Sequence, residues 1–317
     1  MRVLVTGGAG FIGANLVEHL AGTREFRLRV LDNLSVGQSA ADLPSSVDFR
    51  RADFTDRDAM AASLADIDAV VHLAALSGVV DSIADPRPSF AVNVVGTFQL
   101  LELARIAGVR RVVNASTGGA LLGEVSPPID ENMAASPLSP YGASKLAVEG
   151  YCSAFSGAYG LSCVTLRFSN VYGPRSGHKK SAVAAFIKQA LLDKPLIVYG
   201  DGSQRRDYLY VGDLARGITA ALKANVAGVY QVGSGRPTSL TQLIGSLEAA
   251  VGRRLPVCFE AARRGEVHST WCAVDKARRD LAFTAPTALA EGLGMTWQWF
   301  VQNRAAWVGR AIRSSSD

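Results

Sequence analysis

Tyr141 and Lys145, in the sequence SPYGASK (139–145), are the first candidates for chemistry, because a phenol and an ammonium stand four residues apart. At the start of a helix this spacing places both side chains on one face. A nearby ammonium favours the phenolate and lowers the pKa of a tyrosine from about 10, which suits proton exchange near neutral pH. The pair therefore predicts an acid–base site, although such a pair standing alone is usually a surface contact.

Two hydroxyl side chains, Ser116 and Thr117, end a predicted strand upstream of this pair, and Gly118 and Gly119 follow them. A run of these residue types is common in turns, because each of them tolerates turn conformations for its own reason. The same run could instead be an open shelf from which a hydroxyl reaches a substrate. The four residues by themselves leave both interpretations open.

The sequence TGGAGFIG (6–13) follows the first predicted strand and opens the first predicted helix. Glycines at 8, 10 and 13 fit a turn in which the backbone approaches a pyrophosphate and the helix packs closely on the strand. The helix N-terminus supplies N–H groups to the phosphates. Asp32 ends the second predicted strand 19 residues after Gly13, where a carboxylate binds the adenosine ribose and repels a 2′-phosphate. The sequence therefore predicts NAD rather than NADP.

These motifs lie on an alternation of strands and helices typical of a doubly wound parallel sheet, the Rossmann-type α/β fold. Predicted strands cover 2–7, 27–33, 47–53, 69–75, 110–116 and 163–170, and predicted helices cover 11–21, 56–65, 88–107 and 140–159. After Pro174 the order loosens, with helices near 181–193 and 239–251 and a strand-turn-helix over 208–222. We expect a Rossmann domain of 1–173 plus about 208–235, and a smaller, segmented α/β lobe of about 174–207 plus 236–310. A ligand should lie in the cleft between them.

Composition excludes several other classes of protein. Four scattered cysteines without paired spacing predict buried thiols in a reducing cytosol and no metal site. The net charge of +5 comes from dispersed basic pairs, which argues against nucleic acid as a partner. No apolar run approaches the roughly 20 residues of a membrane helix, and a strand that begins at position 2 leaves no room for a signal peptide.

A series of motifs runs in register through nearly the whole chain: VTGGAGFIG, DNLSVG, VVHLAA, NVVGT, SPYGASK, LRFSNVYGPR, YGDGSQRRDYLYVGD and TWQWF. In these motifs the chain resembles the extended short-chain dehydrogenases/reductases of the NAD-dependent nucleotide-sugar epimerase/dehydratase family. Within the family it is most like the UDP-glucose 4-epimerases. The second lobe is then expected to bind a nucleotide sugar.

The resemblance implies roles for individual residues. Expected cofactor contacts are Gly7, Gly10, Phe11, Ile12, Gly13, Asp32, Asn33, Asp53, Phe54, Leu73, Ala74, Ala75, Asn93, Tyr141 and Lys145, with Asn93 anchoring a strand-end loop. Expected substrate contacts are Thr117, Tyr141, Asn170, Tyr199, Arg206, Arg263 and Thr270. The expected catalytic residues are Tyr141, Lys145 and Thr117, with Ser116 as the alternative hydroxyl.

The two glycines after Thr117 separate the activities of the family. Its 4,6-dehydratases typically carry Asp-Glu at these positions, whereas Gly118 and Gly119 cannot transfer protons. The resemblance therefore implies a 4-epimerase of UDP-glucose and UDP-galactose that works through a 4-keto sugar. A reductase or dehydratase with net redox or elimination, and a non-catalytic NAD-binding scaffold, are the alternatives.

The identity of the sugar is open. Thr270 would leave space for an N-acetyl group, and the basic residues His178, Lys179 and Lys180 could meet the carboxylate of a uronic acid, although His178 is expected in a solvated loop. UDP and dTDP are equally compatible with the sequence. The resemblance also implies a homodimer paired through the helices of 88–107 and 140–159, although ordinary buried helix faces would show the same pattern, and the cysteines place it in the cytoplasm. His72 is expected to be a buried histidine with satisfied hydrogen bonds.

Overall fold

The strands of the protein fall into one large and two small sheets. The computed structural model describes residues 1–36, 39–262, 269–304 and 307. Its strands are β1 (Arg2–Thr6), β2 (Arg27–Asp32), β3 (Asp48–Arg51), β4 (Ala69–His72), β5 (Arg111–Thr117), β6 (Ser162–Phe168), β7 (Asn170–Tyr172), β8 (Leu196–Tyr199), β9 (Arg205–Tyr210), β10 (Gly228–Val232), β11 (Pro237–Ser239), β12 (Val257–Glu260) and β13 (Ser269–Thr270).

The helices alternate with these strands in the first half of the chain. They are α1 (Phe11–Thr23), α2 (Arg57–Ser63), α3 (Val79–Ala84), α4 (Pro86–Ser89), α5 (Thr97–Ile106), α6 (Pro140–Tyr159), α7 (Ala182–Leu191), α8 (Val211–Lys223), α9 (Leu240–Val251), α10 (Asp275–Leu281) and α11 (Leu289–Gln302). Within the described ranges, none of the helices has both the length and the apolar character needed to cross a membrane.

The main sheet has seven parallel strands in the order β10–β6–β5–β4–β1–β2–β3. Successive side chains of a strand point to opposite faces. Val3 and Val5 of β1 therefore pack into the core that includes α1 and α8, whereas Leu4 packs into the core that includes α2, α5 and α6. Helices cover both faces, so the predicted doubly wound, Rossmann-type fold is confirmed. The winding reverses between β1 and β4, and sheets of this kind bind ligands beyond the carboxyl ends of the strands at such a point.

A second lobe is built from the two small sheets and the later helices. β9 pairs with β7, β11 and β13, while β8 and β12 form a parallel pair. The helices α7, α9 and α11 enclose a separate apolar core that includes Phe186, Leu243 and Phe300. Between segments of this lobe, α8 packs on the main sheet and β10 adds its last strand.

The predicted helix over 88–107 differs in the structure. α4 ends at Ser89, a π-helical segment covers Phe90–Gly96, and α5 begins at Thr97. Asn93 lies in the π-helical segment, where it exchanges two hydrogen bonds of 2.9 Å with the backbone of Leu76. A π turn contains one extra residue and is frequent near functional sites. An apolar period of 3.6 residues cannot reveal such a turn, so the sequence predicted one regular helix.

Candidate active site

A cleft opens at the carboxyl edge of the main sheet, at the reversal between β1 and β4. The glycine turn, the ends of β2 to β6 and the start of α6 form its wall. The predicted cofactor residues that line it are Gly7, Gly10, Phe11, Ile12, Gly13, Asp32, Asn33, Asp53, Phe54, Leu73, Ala74, Ala75, Tyr141 and Lys145. Asn93 is buried and does not line the cleft; it holds Leu76, which does.

Two glycines of the turn lie so close to other backbone atoms that neither position has room for a side chain. Gly7 has a φ of +70°, and a Cβ on it would lie 2.7 Å from the backbone nitrogen of Ala74. A Cβ on Gly13 would lie 2.2 Å from the carbonyl oxygen of Gly7. α1 begins after Gly10 without a side-chain cap, so its first N–H groups can bind phosphate oxygens. The turn therefore fits a pyrophosphate.

Two carboxylates and an amide line the cleft at the carboxyl ends of β2 and β3. Asp32 accepts hydrogen bonds from the backbone N–H groups of Ala9 and Leu34, at 2.9 and 2.8 Å. Asn33 donates to Asp53 at 2.7 Å. Burial on its own raises the pKa of the Asp53 carboxyl, but hydrogen bonds from Thr55 and Asn33 outweigh it and leave that pKa below its usual value. With the glycine turn, this donor and acceptor set fits NAD.

Tyr141 and Lys145 enter the cleft from the first turns of α6. Ser139 caps this helix by accepting a hydrogen bond from the N–H of Gly142, and Pro140 occupies its first turn. The Nζ of Lys145 donates to the carbonyl oxygen of Ala115 at 2.9 Å. Burial lowers the pKa of Lys145 to about 8. The structure thus brings the predicted pair to one wall of the cleft.

The direction of the Tyr141 pKa shift was predicted wrongly. Burial raises the pKa of Tyr141 to about 12, because the phenolate loses its hydration inside the protein. The Lys145 ammonium, expected to lower that pKa, is engaged by the Ala115 carbonyl. The neutral phenol is therefore the stable form of Tyr141 in the protein alone.

The two candidate hydroxyls have different surroundings. Ser116 lines the cleft, but its Oγ donates to Oε1 of Glu149 at 2.6 Å, and Glu149 pairs with Arg167. Thr117 is half-buried at the last position of β5. Glu149 and Arg167 were missed from the sequence. An acid one helical turn after Lys145, within the apolar run LAVEGYC, was the signal that could have identified Glu149.

The residues that follow Thr117 lie close to β13 of the second lobe. A Cβ on Gly119 would lie 3.6 Å from Cγ2 of Thr270. Thr270 of β13 stands in register with Arg206 of β9. The structure therefore brings Thr270 beside the glycines that follow Thr117, with Arg206 on the neighbouring strand.

The other predicted substrate residues are more dispersed. Asn170 begins β7 and is in register with Tyr208 of β9, two residues after Arg206 in the same strand. Tyr199 ends β8, in the separate two-stranded sheet, and its carbonyl oxygen accepts a hydrogen bond from Gln204. Arg263 lies outside the described residues. Thr117, Asn170, Tyr199, Arg206 and Thr270 are not among the residues that line the cleft, whereas Tyr141 is.

The glycine pair also has a steric consequence. A Cβ on Gly118 would lie 3.2 Å from the carbonyl oxygen of Phe168 and 3.3 Å from Oε1 of Gln231. Both distances are tighter than ordinary contacts, so an acidic side chain at 118 would require its neighbours to move. A glycine at position 118 therefore fits the end of β5 without any shift of Phe168 or Gln231.

Three basic residues near the cleft have distinct surroundings. His72 is buried between the hydroxyls of Thr6 and Thr97, at 2.7 and 2.9 Å, as predicted. His178, predicted in a solvated loop, is instead half-buried in the cleft wall with Lys179. Burial lowers the pKa of the Lys179 ammonium.

The loop that carries His178 and Lys179 is anchored to its surroundings, which explains their position. The side chain of Asn15 in α1 donates to the carbonyl oxygen of Pro174 at 3.1 Å. Lys188 of α7 donates to the carbonyl oxygen of Lys179 at 2.8 Å. These contacts hold both ends of the loop beside the cleft.

Comparison with known proteins adds to this geometry. The model of the NAD dependent epimerase/dehydratase family matches residues 3–233. A UDP-glucose 4-epimerase of Mycolicibacterium smegmatis is 37% identical over 310 residues, which cover 95% of this chain and 98% of the relative.

Two solved structures are similar along nearly the whole chain. The crystal structure of a UDP-glucose 4-epimerase from Thermotoga maritima with UDP-glucose has a TM-score of 0.90 at 34% identity, covering 96% of this chain and 100% of that chain. A UDP-glucuronic acid 4-epimerase from Bacillus cereus, in complex with UDP-glucuronic acid and NAD, has a TM-score of 0.87 at 33% identity, covering 95% and 99%.

Proposed function

The chain belongs to the NAD-dependent epimerase/dehydratase family, and on that basis we propose that it is a 4-epimerase of a nucleotide-diphosphate sugar. The observation that carries the proposal is the shared cleft: Tyr141 and Lys145 line the same wall as the glycine turn and Asp32. An acid–base pair beside a dinucleotide site suits the oxidation of a hydroxyl. Gly118 and Gly119 supply no group for elimination.

The residues around the cofactor have separable tasks. When bound, NAD supplies the acceptor and then the donor of the hydride at C4 of the sugar. The N–H groups at the start of α1 bind its pyrophosphate, and Asp32 accepts hydrogen bonds from the adenosine ribose. Lys145 binds the nicotinamide ribose. Asn93 acts indirectly, by fixing Leu76 in the cleft wall.

Tyr141 moves the proton of the sugar 4-hydroxyl. Its pKa of about 12 in the protein alone keeps the phenol neutral until a positive charge stands beside it, and an oxidised nicotinamide ring provides such a charge. Thr117 hydrogen-bonds the 4-oxygen. The 4-keto sugar turns in the cleft while Asn170, Arg206 and Arg263 hold the diphosphate, since guanidinium groups bind two phosphate oxygens at once.

UDP-glucose and UDP-galactose are the first substrates proposed, with Tyr199 near the base and Thr270 beside the sugar. A specific observation favours a second candidate, the uronic acid forms: Lys179 is a half-buried basic residue in the lining of the cleft. A carboxylate at C6 would neutralise it. The threonine at 270 also leaves room for an N-acetyl group, so UDP-N-acetylglucosamine belongs in the same test.

The domain division supports a cleft between lobes. We propose an NAD-binding domain of residues 1–173 plus about 208–235 and a nucleotide-sugar lobe of about 174–207 plus 236–310. The packing of α8 and β10 on the main sheet supports the return of the chain to the first domain. β9 (Arg205–Tyr210) crosses from the nucleotide-sugar lobe into the NAD-binding domain, and the part of β9 in the NAD-binding domain pairs with β7 at Asn170.

The proposed assembly is a cytoplasmic homodimer. Phe98 of α5 and Tyr151 of α6 are exposed, with ring centroids 5.2 Å apart, and apolar patches of this kind mark interfaces. Sedimentation of Phe98→Glu tests this, with the exposed Val301 in α11 as the site of a control Val301→Glu substitution. Only the first should produce monomers. The four cysteines are unpaired, which supports a reducing compartment; three of them are buried as predicted, whereas Cys258 is exposed.

The deciding experiment incubates purified protein with UDP-glucose, UDP-N-acetylglucosamine and UDP-glucuronate, each with catalytic NAD. Products are analysed by NMR while NADH absorbance is recorded. A sugar inverted at C4 without accumulation of NADH is the expected result, and Tyr141→Phe should abolish it while still binding NADH. Accumulation of NADH would instead indicate a net oxidoreductase, and a dehydrated product would indicate a dehydratase. Binding of NAD without any turnover would indicate a non-catalytic scaffold.

A further inference from the structure

A buried ion pair lies behind the wall of the cleft that carries Tyr141. Glu149 of α6 and Arg167 of β6 each have side chains that are 6% exposed. Arg167 donates from Nη2 to Oε2 of Glu149 at 2.8 Å and from Nε to Oε1 at 3.0 Å. The Oγ of Ser116 in β5 donates to the same Oε1 at 2.6 Å. One carboxylate therefore joins α6, β5 and β6.

Packing alone does not account for this pair. Desolvation of two charges offsets most of their attraction, and apolar residues of similar volume are often equally or more stabilising in such positions. Val148 and Phe155 of the same helix fill the space between α6 and the sheet with apolar atoms. The pair also leaves Nη1 of Arg167 buried with no hydrogen-bond partner among the described residues. A role toward the neighbouring cleft is the simpler explanation.

Glu149 and Lys145 act on consecutive residues of β5. They are four residues apart in α6 and so lie on the same face of the helix. Lys145 donates to the carbonyl oxygen of Ala115, and Glu149 accepts from the hydroxyl of Ser116. Together they hold the strand end that leads to Thr117 against the helix that begins beside Tyr141.

Against the effect of burial, Cys152 and Glu149 both raise the pKa of Lys145 through their charges, and Cys152 is the larger of these two contributions. His72 of β4 also interacts electrostatically with this ammonium. Tyr141 lies one helical turn before Lys145 on the same face of α6, Arg167 of β6 pairs with Glu149, and Cys163 bonds to Cys152.

Most of these groups are neutral at neutral pH. Burial brings the pKa of His72 to about 3 and that of Tyr141 to about 12. A hydrogen bond with Cys163, together with burial, raises the pKa of Cys152, and the same hydrogen bond lowers the pKa of Cys163. Glu149 is the carboxylate of the set. Burial lowers the pKa of Lys145, and the charge of Glu149 is among those that oppose this lowering.

We propose that Glu149, with Ser116 and Arg167, is a positioning residue for Lys145: its carboxylate fixes the end of β5 against α6 and maintains the positive charge of Lys145 beside the nicotinamide ribose. The inference rests on the proposed function through the role of Lys145 toward NAD. It assigns the hydroxyl of Ser116 to Glu149 and leaves Thr117 as the hydroxyl that binds the sugar.

The test measures NADH binding as a function of pH, without any sugar. The dissociation constant is taken from nicotinamide fluorescence between about pH 6 and about pH 10. In the wild-type protein affinity falls as Lys145 loses its proton. In Glu149→Gln the pH at which NADH affinity falls should be about one unit lower, because the negative charge that favours the protonated form of Lys145 has been removed. The control Glu102→Gln removes a half-buried carboxylate of α5 that pairs with Arg57, and it leaves the pH at which affinity falls unchanged.

Glu149→Gln leaves Arg167 buried without a counter-charge, so a second variant is needed in case the first does not fold. Arg167→Gln removes the positive partner instead, which strengthens the field of Glu149 at Lys145 and moves the fall to higher pH. Folding of each variant is checked by circular dichroism. If either variant folds and its NADH affinity falls at the same pH as in the wild-type protein, the proposal is overturned.

Ser116→Ala tests the assignment of the hydroxyl. It removes one hydrogen bond to Glu149 but no charge, so the pH of the fall stays the same and epimerisation slows by about tenfold. Complete loss of epimerisation in Ser116→Ala, with normal activity in Thr117→Ala, would contradict the assignment. Failure of the proposed function is separately visible, as wild-type protein that binds NADH and epimerises none of the sugars.

Discussion

The carboxylate of Asp32 accepts a hydrogen bond from the backbone N–H of Ala9 at 2.9 Å, which joins the end of β2 to the glycine turn. Its second oxygen accepts from Leu34 at 2.8 Å. A carboxylate has about four acceptor positions, so both oxygens keep capacity for the hydroxyls of a ribose. One side chain therefore stabilises the turn and contributes to the cleft.

Asp32→Ala should weaken the binding of NADH by about tenfold to a hundredfold, the equivalent of one lost hydrogen bond to a charged group. It should also reduce the preference for NADH over NADPH, because the charge that repels a 2′-phosphate is removed. Fluorescence titration with both dinucleotides measures this. Asp48→Ala, at an exposed carboxylate at the other end of the neighbouring strand, is the control. An unchanged ratio of the two affinities would count against the role of Asp32.

Gly13→Ala should destabilise the protein by about 1–3 kcal/mol and weaken NADH binding, because its Cβ would lie 2.2 Å from the carbonyl oxygen of Gly7. Gly22→Ala, in the same helix, meets nothing within 4 Å. It should stabilise the protein by about 0.5–1 kcal/mol through the better helix propensity of alanine. Urea unfolding of both variants measures the difference. Equal effects would mean that the turn is less tightly packed than described.

His72 makes stability depend on pH on the acid side. Burial lowers its pKa from 6.5 to about 3, so the neutral form is favoured in the folded protein. Its contribution is present above pH 6.5 and is lost as the pH falls toward about 3, at up to about 1.4 kcal/mol per pH unit. His72→Gln should flatten this dependence. The unfolding free energies of both proteins are measured at about pH 7 and about pH 5. The same loss of stability between these pH values in the wild-type protein and in His72→Gln would refute the assignment.

Lys179→Met should raise the KM for UDP-glucuronate by about tenfold or more, while the KM for UDP-glucose changes little, because only the uronate carries a carboxylate for the ammonium. Lys180→Met is the matched control, because Lys180 is the next residue but is exposed and does not line the cleft. Steady-state kinetics with both sugars measure the selectivity. If the two KM values rise together, Lys179 binds a group that both substrates share.

The sequence by itself determined the architecture and the cofactor. Uninterrupted apolar strands separated by amphipathic helices require a sheet covered on both faces. The glycine turn and Asp32 predicted NAD as the cofactor, and in the structure they line the same cleft. These inferences succeeded because they depend on local order: a strand, a turn and the start of a helix follow one another along the chain.

Only the tertiary structure decided what distant residues do to one another. Ser116 and Glu149 are 33 residues apart, and no spacing rule indicates that the hydroxyl is bonded to a buried carboxylate. The pKa of Tyr141 was predicted in the wrong direction because desolvation depends on everything packed around the phenol, not on its neighbour four residues away. Likewise, His178 and Lys179 lie in the cleft wall because hydrogen bonds from side chains of α1 and α7 hold their loop there. Hydrophobic periodicity along the chain gives no information on such contacts. Long-range packing sets electrostatics and orientation, and it exists only once the chain has folded.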